Sequence, residues 1–212
     1  MNARTIAVFT WTLAALVPSA RADESFGADD ATKLIRSTVD QAVEVLKNPE
    51  LQGRKQRLER HARLRKISNK VFDWNEMARR SLGVHWRKLN EAERKRFTDT
   101  FKEILADHYL GQMDRFQGDE KVTHIGTDKS KNGWVVKMML RTPSRAEVPI
   151  HFYVGEDRSV YDVSIEGVIL SNHYRGTFDR QLVNTSFDAM MKRLEQKLAV
   201  QQRVAEKAAE GS

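Results

Sequence analysis

The stretch Tyr161–Arg175, YDVSIEGVILSNHYR, changes its period partway along. Tyr161, Val163 and Ile165 alternate with polar residues, the two-residue period of a strand with one apolar face. Past Gly167 the alternation stops, and a helix is predicted over Leu170 to Asn184. A strand that runs straight into a helix places a sheet and a helical layer in succession. The same residues include Asp162, Glu166, His173, Tyr174 and Arg175, the raw material of an acid/base site. Asp162 and Glu166 are four apart on a strand, so they share the face opposite Val163 and Ile165. If that apolar face lines the interior, both carboxylates meet solvent or cations such as Lys137 and Arg141. Cross-strand charge pairing then accounts for them without catalysis.

Upstream, the same period recurs. Val122 to Ile125 reads as a weak strand. Trp134 to Arg141 places Trp134, Val136, Met138 and Leu140 on one face, with Lys137 and Arg141 on the other. Val148 to Val154 places Val148, Ile150, Phe152 and Val154 likewise. Turn signals separate these runs at Lys131-Asn132-Gly133, Pro143-Ser144 and Gly155-Glu156-Asp157. Connections this short imply antiparallel neighbours, so a meander of about four strands is expected.

Helical periodicity fills the remainder. Ala31, Leu34, Ile35, Val39, Ala42 and Leu46 make a first amphipathic helix that Asn48-Pro49 ends. A charged second helix is predicted over Gln52 to Val71, burying Leu58, Leu64, Ile67 and Val71. Asp73 followed by Glu76, and Asn90 followed by Glu93, have the spacing of capping boxes. The second box opens the longest apolar face, which runs through Phe97, Phe101, Ile104, Leu105, His108, Tyr109, Met113 and Phe116. A closing helix is predicted over Thr185 to Ala208, with a polar, frayed tail over 199–212. The predicted class is α+β: one domain over 23–198, with a four-stranded antiparallel sheet and helices packed over one face.

Composition narrows the function. Residues 1–22 read as a signal peptide: Arg4, an apolar run from Thr5 to Val17, and Ala20-Arg21-Ala22 as a small-x-small cleavage site. Cleavage after Ala22 and export to the periplasm are expected. Arg4 and Arg21 leave with the leader and no acid does, so the mature chain keeps 34 basic residues against 29 acidic, a net +5. Lys47 to Lys102 alone carries 17 basic and 7 acidic residues. Such a segment suits anionic lipid or an acidic partner, or is simply a solvated helical face. No glycine-flanked aromatic signature accompanies it, and no nucleic-acid partner is expected.

The chain has no cysteine, which excludes thiol catalysis and cysteine-ligated metals. None of its six histidines pairs at helical zinc-site spacing, and no phosphate loop or nucleophile elbow occurs. No cofactor, metal or catalytic residue is expected. Met77, Met113, Met138, Met190 and Met191 supply flexible apolar side chains, which fit an ordinary core or a pocket for a variable apolar ligand.

Several separated motifs carry a resemblance. Phe72-Asp73-Trp74-Asn75-Glu76-Met77-Ala78-Arg79, then Leu82-Gly83 and Trp86-Arg87, resembles the DFxxMAR…LGxxWR signature of the MlaC-type periplasmic phospholipid carriers. These are also described as toluene-tolerance auxiliary proteins of an ABC transport system. Glu93 to Tyr109 is similar to the family's long helix, and Val160 to Phe178 resembles its VYDVxIEGVSLVxNYRxxF. Here His173 stands between Asn172 and Tyr174, where the family reads Asn-Tyr-Arg, shifting Tyr174 and Arg175 by one.

The resemblance implies a carrier that holds phospholipid acyl chains in an apolar cavity between sheet and helices and catalyses no reaction. Its implied partners are an outer-membrane lipoprotein complex, an inner-membrane ABC transporter with its lipid-binding subunit, and transiently the membrane surface. A related branch is associated with hopanoid lipids. The implied lipid-binding set is Val136, Met138, Leu140, Ile150, Phe152, Val163, Ile165, Val168, Phe101, Leu105, Tyr109 and Met113. Asn172, Tyr174 and Arg175 are expected at the mouth, with Arg175 towards a phosphate. Two rivals predict other things. A small cone-shaped enzyme needs Tyr109, Asp162 or His108 as acid and base in the cavity, and an adaptor for the transporter needs a filled core.

Overall fold

The computed structural model describes residues 26–116 and 118–210, with side chains up to 204. The predicted leader therefore lies outside the described residues. Helix α1 (Ala28–Lys47) starts with Asp29 and Asp30 in its first turn and ends on Lys47, so its charges oppose its dipole. A tight turn at Pro49–Leu51 precedes α2 (Arg57–Val71), which starts later than Gln52. Leu58, expected in the core, is 49% exposed, while Arg60 and His61 are buried. The reason is electrostatic. Arg57, Arg60 and His61 all reach Asp114, and that converging network, rather than an apolar edge, turns α2 towards its neighbours.

Helix α3 (Trp74–Leu82) is capped by Asp73, which accepts the Glu76 backbone N–H at 2.9 Å. Only half of the expected box forms, because the Glu76 carboxylate pairs with Arg79 and Arg80 instead. The Asn90–Glu93 box is complete and opens α4 (Glu91–Met113). Phe97, Phe101 and Leu105 of α4 face the main core, while Leu110 joins Leu46 and Leu64 in a second, smaller cluster. His108 is exposed rather than part of the apolar face, hydrogen-bonded to Gln112.

The sheet has five strands in sequential antiparallel order: β1 (Lys121–Ser130), β2 (Gly133–Arg141), β3 (Glu147–Gly155), β4 (Val160–Ile165) and β5 (Val168–Ile169). The fifth is the short return of a hairpin. Glu166 and Gly167 both have positive φ, 51° and 82°, the pattern of a two-residue primed turn that matches strand twist. Two helices close the chain, α5 (Leu170–Asn184) and α6 (Phe187–Glu210). Residues 199–210, expected to fray, continue α6 as helix.

The helical layer covers one face of the sheet and wraps one edge. Helix α1 lies on β1 and β2, whereas α3 and α5 meet β4. Phe72 bridges Val160, so the chain entering α3 runs along the edge of β4. Ala31, Ile35, Met77, Phe97, Phe101, Val136, Val160, Phe178, Met190 and Met191 form one continuous buried cluster between the layers. Burying a side chain of this size is worth about 1.5–3 kcal/mol, which lets a cysteine-free chain dispense with disulfides.

Candidate functional site: an apolar slope across the sheet

Strand register decides which side chains share the inner face. His124, Met138, Ile150, Ile165 and Val168 are successive cross-strand partners, one from each strand. Thr127, Val136, Phe152 and Val163 form the next row, and Val122, Leu140 and Val148 the row on the other side. All eight sheet residues of the expected lipid-binding set therefore sit in three adjacent rows.

Burial falls along these rows. Val136 is 0% exposed and Val163 5%, Ile150, Ile165 and Leu140 are half-buried, and Val168 is 51% exposed. The result is an apolar slope that rises from the closed interior to solvent. In the same apolar cluster, Phe101 and Leu105 of α4 are buried and Tyr109 is half-buried, while Met113 is 39% exposed.

Two tyrosines stand at the edge of this layer. Tyr174 packs its ring edge-on to Phe101 at 5.1 Å and stacks on Phe178 at 5.9 Å. Burial raises the Tyr109 phenol to about 12, with Tyr174 adding a smaller push, and burial alone raises Tyr174. Both hydroxyls therefore stay protonated at neutral pH. No hydrogen bond joins either one to another described residue. A pair of phenols with free donors beside an apolar wall suits a ligand with an apolar body and a polar end.

The other expected mouth residues behave differently. Asn172 and His173 are exposed, with the His173 ring edge-on to Tyr174 at 5.3 Å. Arg175 donates its Nε to the Arg80 carbonyl at 2.8 Å and lays its stem over Gly83. It ties α5 to the end of α3, so its Nε is committed to the backbone.

Of the two carboxylates of the opening stretch, Asp162 alone is placed against expectation. Asp162 is 3% exposed, not turned to solvent, and neither Lys137 nor Arg141 reaches it. Lys137 pairs with Asp128 and Arg141 with Glu147. Asp162 accepts the Ser171 hydroxyl and backbone N–H, the latter at 3.2 Å, and the Val163 N–H at 3.0 Å. Ser171 is in the first turn of α5, which has no cap of its own, so Asp162 caps the helix from a neighbouring strand. Glu166 is exposed in the hairpin turn.

Tyr161 also moves. A bulge sets both Tyr161 and Asp162 against Tyr153, so Val160 takes the inner position opposite Val154. Tyr161 sits outside, near Tyr153 and under the Arg80 guanidinium at 4.2 Å. Of the enzyme rival's acid and base candidates, Asp162 is spent on α5 and His108 is exposed on α4, while Tyr109 packs against the apolar cluster. Among the described residues no group of three or more acidic or histidine side chains could hold a metal ion.

Two open concavities lie elsewhere. One of about 440 Å³ is polar, lined by Glu76, Arg79, Arg80, Asp157 and Tyr161 among others, and the second, of about 680 Å³, follows the outer side of α1. Neither includes a residue of the three rows.

A solved structure described as the phospholipid-binding protein from Ralstonia solanacearum, in complex with a phospholipid, shares this fold. The TM-score is 0.70 at 17% identity, over 81% of this chain and 98% of that one. No curated protein sequence matches the chain. The family model described as MlaC protein matches residues 36–196, a span from within α1 to within α6 that takes in the whole sheet. That match covers well over half of the chain, and the chain belongs to the MlaC family.

Proposed function

We propose that this chain is a periplasmic lipid carrier that holds phospholipid acyl chains against the apolar slope and catalyses no reaction. The observation that carries the reading is the register, which aligns Met138, Ile150 and Ile165, then Val136, Phe152 and Val163, on the inner face, in one apolar cluster with Leu105 and Tyr109. Membership of a family that includes lipid carriers, and a fold shared with a phospholipid-bound protein, support it. Each methylene moved out of water is worth about 0.8 kcal/mol, so one acyl chain supplies on the order of 10 kcal/mol before ordering costs. Because core side chains fill the layer between sheet and helices, an acyl chain enters by displacing α4 from the sheet. Tyr109 and Tyr174 then meet the ester and glycerol oxygens at the boundary.

In this reading the protein exchanges lipid with an outer-membrane lipoprotein complex and with an inner-membrane ABC transporter and its lipid-binding subunit. The test is native mass spectrometry and solvent extraction of protein purified from periplasm without detergent. One or more stoichiometric phospholipids are expected. Protein that carries no lipid and takes none up from vesicles overturns the reading. A hopanoid as the extracted species keeps the carrier and changes its cargo.

A further inference from the structure

The two most exposed large apolar side chains in the described chain are Val84 and Val183, at 71% and 78%. They lie on adjoining elements. The short tight helix Gly83–Lys88 runs beside α5: Gly83 lies under the Arg175 stem, and His85 pairs with Asp179 at 3.0 Å. Val84 adjoins His85, and Val183 is one turn beyond Asp179 on the same side of α5. Arg87 and Lys88 follow Val84 on the same short helix and Arg180 lies three residues before Val183, all exposed and none with an ion-pair partner among the described residues.

Of the 17 basic residues from Lys47 to Lys102, eight are in ion pairs, and Arg87 and Lys88 are among the nine that are not. Two exposed valines and three unpaired cations on adjoining elements match a bilayer interface, where apolar side chains enter between lipids and cations meet phosphates. A protein partner would have to cover a larger apolar core than two valines provide.

We propose that the Gly83–Lys88 segment and the C-terminal half of α5 dock the protein on anionic phospholipid bilayers. This rests on the carrier reading only for its purpose, since α5 also carries Tyr174 and would fix the slope's orientation to the membrane.

The test is cosedimentation of the full chain with phosphatidylcholine vesicles, with and without one third phosphatidylglycerol, at low and high salt. Wild type should bind the anionic vesicles, bind neutral ones weakly, and release in high salt. Each cation near an anionic surface contributes about fivefold, so Arg87→Glu/Lys88→Glu/Arg180→Glu should weaken binding on the order of a hundredfold. Val84→Asp/Val183→Asp should weaken it as well. A charge-matched control, Lys55→Glu/Lys66→Glu/Lys70→Glu, changes exposed cations in and just before α2, away from Val84 and Val183, and should lose much less. Lipid co-purified with each variant is quantified separately, so a failure of the carrier reading shows there and a failure of docking in sedimentation. The proposal is overturned if wild type does not bind anionic vesicles, if the patch variants bind as wild type does, or if the control loses as much. Loss by these variants of binding to an acidic protein, without vesicle binding by wild type, would assign the patch to that partner instead.

Discussion

Asp162→Ala should cost the fold about 2–3 kcal/mol, and the structure supplies the terms. The substitution strands the Ser171 hydroxyl, the Ser171 N–H and the Val163 N–H, all buried. A buried donor left unpaired costs about 1–3 kcal/mol. Part of that is returned, because the carboxylate itself is expensive to bury. Burial raises the Asp162 carboxyl above its ordinary value, although Ser171, Val163 and Arg80 pull it down. A raised carboxyl favours the folded state below its unfolded value and forfeits that benefit as pH rises through the folded value. Asp162→Asn keeps an acceptor and has no charge to bury, so it should stand closer to wild type at pH 7 than at pH 3. In urea, with a slope of roughly 2 kcal/mol per molar, Asp162→Ala should move the midpoint down by about 1–1.5 M at unchanged slope. Adding Ser171→Ala should cost little more, since the two share one interaction. A midpoint for Asp162→Ala within 0.2 M (roughly 0.4 kcal/mol by the same slope) of wild type would refute the capping role. So would full additivity with Ser171→Ala.

Asp162 also marks where sequence reading fails. Period-two alternation located β2 and β3 and put Val136, Met138, Ile150 and Phe152 on one face, because those strands have one covered side and a regular register. In β4 the alternation reads the same but means something else. The bulge at Tyr161 and Asp162 reverses one position, and α5 and α3 cover the strand's second side and edge. No local pattern reports what another element covers. The same limit explains Leu58, exposed because Asp114 gathers Arg57, Arg60 and His61 from fifty-odd residues away. It also explains the missed fifth strand, whose two residues are too short to show a period. The rows of the slope were legible as faces but not as neighbours, since register comes from pairing. Tyr174 as a partner of Tyr109 could not have been read from spacing at all.

Other expectations follow from the same contacts. Asp114→Ala leaves Arg60 buried without its counter-charge and the His61 ring without its hydrogen-bond partner, and should cost about 3–5 kcal/mol by urea unfolding. Acid should destabilise the fold in two windows. Burial lowers His61 despite its bond to Asp114, so stability falls as pH drops below about 6.5 and through the folded value. Asp114 is held low by Arg60, His61 and Arg57 against the opposing effect of burial, so a second loss begins below the ordinary carboxylate range. His61→Gln should remove the first window only, as read from unfolding midpoints across pH. Gly133→Ala should be severe, at least 2–3 kcal/mol, because a Cβ at φ 135° would overlap the Val154 carbonyl; a thermal midpoint unchanged within a degree would contradict that. Tyr109→Phe/Tyr174→Phe should leave stability nearly unchanged while weakening lipid retention, measured by extraction after dilution.

The central claim is that acyl chains lie between the inner face of the sheet and α4. A photoreactive phenylalanine analogue at Phe152, irradiated in intact cells, tests it most directly when the same analogue at Tyr161, on the outer side of the sheet, serves as the reference. Mass spectrometry of the purified protein should find a phospholipid adduct at position 152 and none at 161. Equal adducts at both positions, or none at 152 in protein that carries lipid, would contradict the claim.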